Sequence, residues 1–92
     1  MGSEKSELYF VFMTYDPEYN RLRSNRTKRG STELDLYLSR KHDALLATTL
    51  LPEKTSSLVI VDGFAVEITD DQANVLRSAK GVRVVEKNQL LS

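Results

Sequence analysis

Few residues of this chain carry side chains that could do chemistry. There is one histidine, His42, and no cysteine. The missing thiol excludes cysteine nucleophiles and disulfides alike. No serine, acid and histidine stand in a recognisable nucleophile motif, and neither metal-ligand spacing nor a phosphate-cradling glycine loop occurs. Asp70 and Asp71 are adjacent, but Thr69 precedes them and Gln72 follows. That pattern is a helix capping box with two acids in the positive first turn, which suits structure better than acid–base work. His42 could report pH, because an imidazole titrates near neutrality. A packed, hydrogen-bonded histidine is the more frequent outcome. Between Glu18 and Glu33 the chain carries Arg21, Arg23, Arg26, Lys28 and Arg29 with no acid. Arg26-Thr27-Lys28-Arg29 resembles a basic cleavage site, and Asn25-Arg26-Thr27 is a glycosylation sequon that makes Asn25 a candidate acceptor. Motifs this short arise often by chance, so a solvated loop is the preferred reading of both. No cofactor or metal is expected, and the residue types point to recognition rather than catalysis.

The chain has 92 residues, 40% of them apolar and 28% charged, with a formal net charge of 0. Those values describe one small folded domain with a modest core, to which a partner could add stability. Balanced charge leaves no global field for nucleic acid or an anionic membrane. No apolar run approaches the length of a membrane span. Met1-Gly2-Ser3 is followed by charge rather than an apolar stretch, so it reads as an expression remnant, not a leader. Residues 4–87 are then the domain and residues 88–92 a C-terminal tail. Nothing predicts self-association, and a monomer is expected when the domain is isolated.

The elements that must position these residues follow from the hydrophobic pattern. Leu8 to Tyr15 is aromatic and β-branched, apolar at both parities, and stopped by Asp16-Pro17: a strand. Residues 16–31 read as a loop closed by Gly30-Ser31. Thr32-Glu33-Leu34-Asp35 approximates a capping box and opens a helix. Leu34, Leu38 and Leu45 form its stripe, with Lys41 and His42 between them, and it ends near Leu50, before Pro52. Ser57 to Val61 is a second strand, and Asp62-Gly63 signals a hairpin to Phe64-Ala65-Val66-Glu67-Ile68. There Phe64, Val66 and Ile68 share one face, Ala65 and Glu67 the other. A second helix follows Thr69, buries Ala73, Leu76 and Ala79, and has Gly81 as its left-handed C-cap. Val82 to Glu86 is the last strand.

This order predicts an α+β, ferredoxin-like βαββαβ sandwich, a four-stranded antiparallel sheet with two helices on one face. The other face stays bare. Fed by Phe10 or Phe12, one parity of Leu58 to Val61, and Ala65, it would expose a sizeable apolar patch, and such patches mark binding surfaces.

The run from Val61-Asp62-Gly63-Phe64-Ala65 through Thr69, Ala73 and Leu76 to Gly81-Val82-Arg83-Val84-Val85 resembles the propeptides of subtilisin-like serine proteases, the subtilases. Tyr9-Phe10-Val11-Phe12-Met13 is similar to that family's first strand, and Arg40-Lys41-His42-Asp43 to Leu46 is similar to the helix of its plant branch. The likeness spans residues 8–91 in order. It implies a non-catalytic domain of a protease precursor in the secretory pathway or outside the cell. The domain would act as an intramolecular chaperone and then as an inhibitor of the protease's catalytic domain. The bare sheet face would dock on two parallel surface helices of the protease. The tail Asn88, Gln89, Leu90, Leu91 and Ser92 would enter the substrate cleft as an added strand. Phe10, Phe12, Ala65 and Glu67 are then the candidate docking residues, with Glu67 placed to meet helix N-termini. In the family the tail usually runs a few residues past the equivalent of Ser92, so weaker inhibition than with a full tail is expected, with docking retained.

Two rival readings share the element order. One is a free-standing subtilisin inhibitor, which has the same physics. The other is an RNA-recognition module, since Asp62-Gly63-Phe64-Ala65-Val66 echoes its third-strand motif. The RNA reading lacks a basic residue at Asp62 and a second stacking aromatic at Val66, so no nucleic acid and no membrane are expected as partners.

Overall fold

Four segments rich in aromatic, β-branched or small residues pair into one sheet: β1 (Glu7–Met13), β2 (Ser56–Leu58), β3 (Gly63–Ile68) and β4 (Val82–Lys87). Their order is β2-β3-β1-β4, and every neighbouring pair is antiparallel. The helices are α1 (Pro17–Ser24), α2 (Lys28–Thr48) and α3 (Asp70–Arg77). This is the expected α+β ferredoxin-like arrangement with one helix added. The computed structural model describes residues 5–24, 28–58 and 61–88. Met1 to Ser3, Asn25, Arg26 and Thr27 of the basic motif, Val59 and Ile60 of the expected second strand, and Gln89, Leu90, Leu91 and Ser92 of the tail lie outside the described residues.

The added helix corrects the expected loop over residues 16–31. Asp16 is its N-cap: the carboxylate accepts the Glu18 N–H at 3.0 Å, and Pro17 takes the first helical position, where a missing N–H costs nothing. Tyr19 and Leu22, three apart, become its buried side. Helix α2 likewise starts at Lys28, so Thr32 lies inside it rather than capping it. Unbranched basic side chains favour helix, and Gly30 falls in the first turn, whose N–H groups have no helical partner in any case.

One sheet face is the core. Tyr9 sits opposite Val66 and Val11 opposite Phe64, and Ile68 and Val85 extend that layer. Leu46 from α2 and Ala73 and Leu76 from α3 close over it. Each large apolar side chain so buried stabilises the fold by roughly 1.5–3 kcal/mol. On α2 the buried stripe is Leu38, His42 and Leu46 at helical i, i+4 spacing, with Leu34 and Leu45 only half-buried. The expected stripe through Leu45 is therefore rotated, and the histidine occupies a core position.

The connections carry three further findings. Residues 59–62 link β2 to β3, and Leu58 pairs with Gly63, so Asp62-Gly63 is not a two-residue turn. Gly63 is instead a strand residue: a Cβ there would stand 2.5 Å from the Val11 carbonyl oxygen, with Leu58 and Phe12 methyl or ring carbons at 3.3 Å. The capping box of α3 forms as expected, with Gln72 N–H to Thr69 Oγ1 at 3.2 Å and Thr69 N–H to Gln72 Oε1 at 2.9 Å. Its C-cap is Ser78, while Gly81, at φ 90°, turns the chain into β4. Helix α2 closes with Leu51 N–H on the Leu46 carbonyl and Leu50 N–H on that of Ala47. This Schellman closure puts Leu50, not a glycine, at φ 60°.

Strand β4 is a sheet edge. Leu8 and Thr14 of the central strand's line bond toward β4, so the alternate residue Val11 bonds toward β3, and the Val85 carbonyl opposite it points outward. The Arg77 guanidinium, from the last turn of α3, donates to that carbonyl at 3.0 Å.

Candidate functional site

The register settles which residues line the face away from the helices. Phe10 is opposite Ala65 and Phe12 opposite Gly63, so both phenylalanines point to the open side. Leu8 pairs with Glu67 there, Phe10 with Glu86, and Phe12 with Val84; Leu58 and Ser56 complete the face from β2. Leu8, Phe10, Phe12, Leu58 and Val84 are half-buried, whereas Glu67 and Glu86 are exposed. Ala65 is 2% exposed. It is the floor of the patch between Phe10 and Ser56, not a surface that a partner could touch directly.

The four candidate docking residues therefore share one face, with Phe10 and Phe12 as its relief and Glu67 at its border. Sequence reasoning missed Leu8, Val84 and Glu86. Leu8 shares the parity of Phe10 and Phe12, whereas the side taken by Val84 and Glu86 depends on the register of β4, which a bulge shifts between Phe12 and Met13. At the paired positions of this face the two ionised groups, Glu67 and Glu86, are both acids, and exposed Arg83 stands unpaired at the bulge next to Val84.

On the opposite side a polar cluster ties the loops to α2. Asp16 accepts from the Tyr37 hydroxyl at 2.5 Å and from Lys41 Nζ at 2.8 Å. Lys41 also pairs with Asp62, whose other oxygen meets His42 Nε2 at 2.8 Å. Burial would raise the Asp16 carboxyl, but hydrogen bonds from Lys41, Tyr37 and the Glu18 amide outweigh it and hold it at about 2. The same contest is won the same way at Asp62: burial opposes, and His42 and Lys41 lower it. Tyr37, donating to Asp16, is pushed up to about 12. His42 is fully buried, its ring 4.8 Å from that of Phe64, and Nδ1 has no partner among the described residues. These contacts make the histidine a packed member of the core, remote from the open face. Asp16, Tyr37 and Asp62 were not foreseen here. The one usable signal was the Asp-Pro-Glu run that marks a helix start.

Of the tail, Asn88 is described, and its N–H donates to the Leu8 carbonyl at 2.9 Å, prolonging the β4 ladder by one bond. Among the described residues no group of three His, Cys, Asp or Glu side chains could hold a metal ion. No described helix is long and apolar enough to cross a membrane.

Fold and surface thus define a small α+β domain with one sheet face that no described helix covers. Comparison with family models, with curated proteins and with solved structures finds no match for this chain.

Proposed function

We propose that this chain is a propeptide domain of a subtilisin-like serine protease, a non-catalytic chaperone and inhibitor acting in the secretory pathway or outside the cell. The observation that carries this reading is the open face: Phe10, Phe12, Leu58 and Val84 over a floor of Gly63 and Ala65, bordered by Glu67 and Glu86. An apolar centre with a charged rim is the anatomy of a protein-binding surface. Acids at the rim suit the positive N-termini of helices on the partner. The same acids count against RNA, whose phosphates would meet two carboxylates at the paired positions of the face. Binding the native protease and not its unfolded chain would stabilise the protease fold, by about 4 kcal/mol at a thousandfold excess over Kd. His42 has its contacts on the helix side, with Asp62 and Phe64, and takes no part in the open face.

The test is a titration of a subtilisin-type catalytic domain with this chain, following hydrolysis of a chromogenic peptide. Inhibition is expected, and Phe12→Glu should weaken it by about tenfold or more, as loss of a central aromatic anchor does. Phe12 is half-buried, so the thermal midpoint of the free domain is read alongside, and inhibition should fall by more than the loss of folded protein explains. Absence of both binding and inhibition by the unaltered chain would remove the reading.

A further inference from the structure

Where β4 ends, four polar side chains converge. Lys87 Nζ lies 2.7 Å from a Glu7 carboxylate oxygen and 3.9 Å from Asp70 Oδ1. The Tyr9 hydroxyl donates to that same Asp70 oxygen. Tyr9 and Lys87 face each other across the β1–β4 ladder, and the next residue, Asn88, makes the last ladder bond to Leu8. One ammonium thus joins β1, β4 and the first turn of α3 at the point where the tail leaves the sheet.

We propose that the Glu7–Lys87–Asp70–Tyr9 cluster is a clamp on the root of the C-terminal tail, with Lys87 a positioning residue for inhibition. This rests on the protease-inhibitor reading above. A tail that adds a strand to a cleft loses freedom on binding, and fixing its root beforehand lowers that loss. The clamp is not a fold-stabilising device. Lys87 and Glu7 are 36% and 48% exposed, and ion pairs so open to water contribute little to stability. Their place is what matters: the pair holds Lys87 against β1, and the very next residue makes the last ladder bond, Asn88 N–H to the Leu8 carbonyl.

The experiment compares the full chain with a chain ending at Gln89, each carrying Lys87, Lys87→Met or Lys87→Arg. Two quantities are read: exchange of the Asn88 amide in the free domain, and inhibition of a subtilisin-type catalytic domain. Lys87→Met should speed Asn88 exchange by about threefold, the scale of one exposed ion pair. It should weaken inhibition by the full chain by about the same factor and leave the short chain within about twofold. Lys87→Arg should restore both. Unchanged exchange in Lys87→Met overturns the clamp whatever the protease does. Equal weakening of long and short chains also overturns it, because the effect would then not pass through the tail. If exchange responds but no form inhibits, the protease reading falls, and the clamp's part in inhibition falls with it.

Discussion

At the scale of single residues, Gly63 carries more than its side chain suggests. Its hydrogen faces the Val11 carbonyl across the β1–β3 pair, where a methyl group would have only 2.5 Å. The clash is with backbone of the central strand, which cannot swing aside. Gly63→Ala should therefore cost about 1–3 kcal/mol, the range for overpacking, seen as a lower denaturation midpoint with unchanged m-value. Leu50 is the opposite case. It is 90% exposed and holds φ 60°, a region that costs a non-glycine residue about 1–2 kcal/mol. Glycine there relieves the strain but loosens the unfolded chain by about 0.5–1 kcal/mol. The net expectation for Leu50→Gly is a gain of about 0.5–1 kcal/mol in thermal or urea unfolding.

At the scale of elements, the Asp16–Tyr37–Lys41–Asp62–His42 cluster fastens the start of α1 and the β2–β3 turn to α2. Asp16 sits at about 2 in the folded domain against an ordinary 3.8. A carboxyl lowered on folding stabilises the fold at pH above its unfolded value, and that contribution fades as pH falls through the folded one. The stabilisation from Asp16 should thus be complete above about pH 4 and lost toward pH 2, with Asp62 acting in the same direction. Discounted for partial exposure, the Asp16 share is about 1–2 kcal/mol. In urea titrations from pH 6 to pH 2, Asp16→Asn should start less stable and fall less steeply than the unaltered chain. A parallel pair of curves would show that Asp16 does not carry the acid dependence.

Elements also decide what the sequence made legible. The three longer strands, α3 with its capping box, and the β-α-β-β-α-β order could be read because alternation and caps are local signals. Helix α1 escaped because its charged, solvated side dominates the composition, leaving Tyr19 and Leu22 as the only buried pair. The start of α2 escaped because helix propensity in a basic run is a weak signal beside a tempting Thr32 cap. His42 was placed on the helix but not in the core, since a polar residue at a core position is identified only by its partner, Asp62, twenty residues away. The open face was predictable as a consequence of topology. Its membership was not, because the parity of β1 and β4 is a property of strand pairing rather than of either strand alone.

At the scale of the whole molecule, one sheet face is lined by the half-buried Phe10, Phe12, Leu58 and Val84. A fold of 92 residues has one modest core. Covering that face would bury the remaining exposed part of these side chains. Docking and stability should accordingly rise together: the thermal midpoint of the domain increases with added protease in proportion to affinity, and Phe12→Glu removes the increase.

The guanidinium of Arg77 on the outward Val85 carbonyl has a bearing on this. A sheet with one greasy side and a free border is the shape from which stacked fibrils grow, each molecule lending its margin to the next. Occupying one acceptor midway along that margin, beside the bulge at its start, spoils the template for a neighbour without touching the side kept for binding. On the proposed reading, this edge is blunted by a residue that takes no part in the open face.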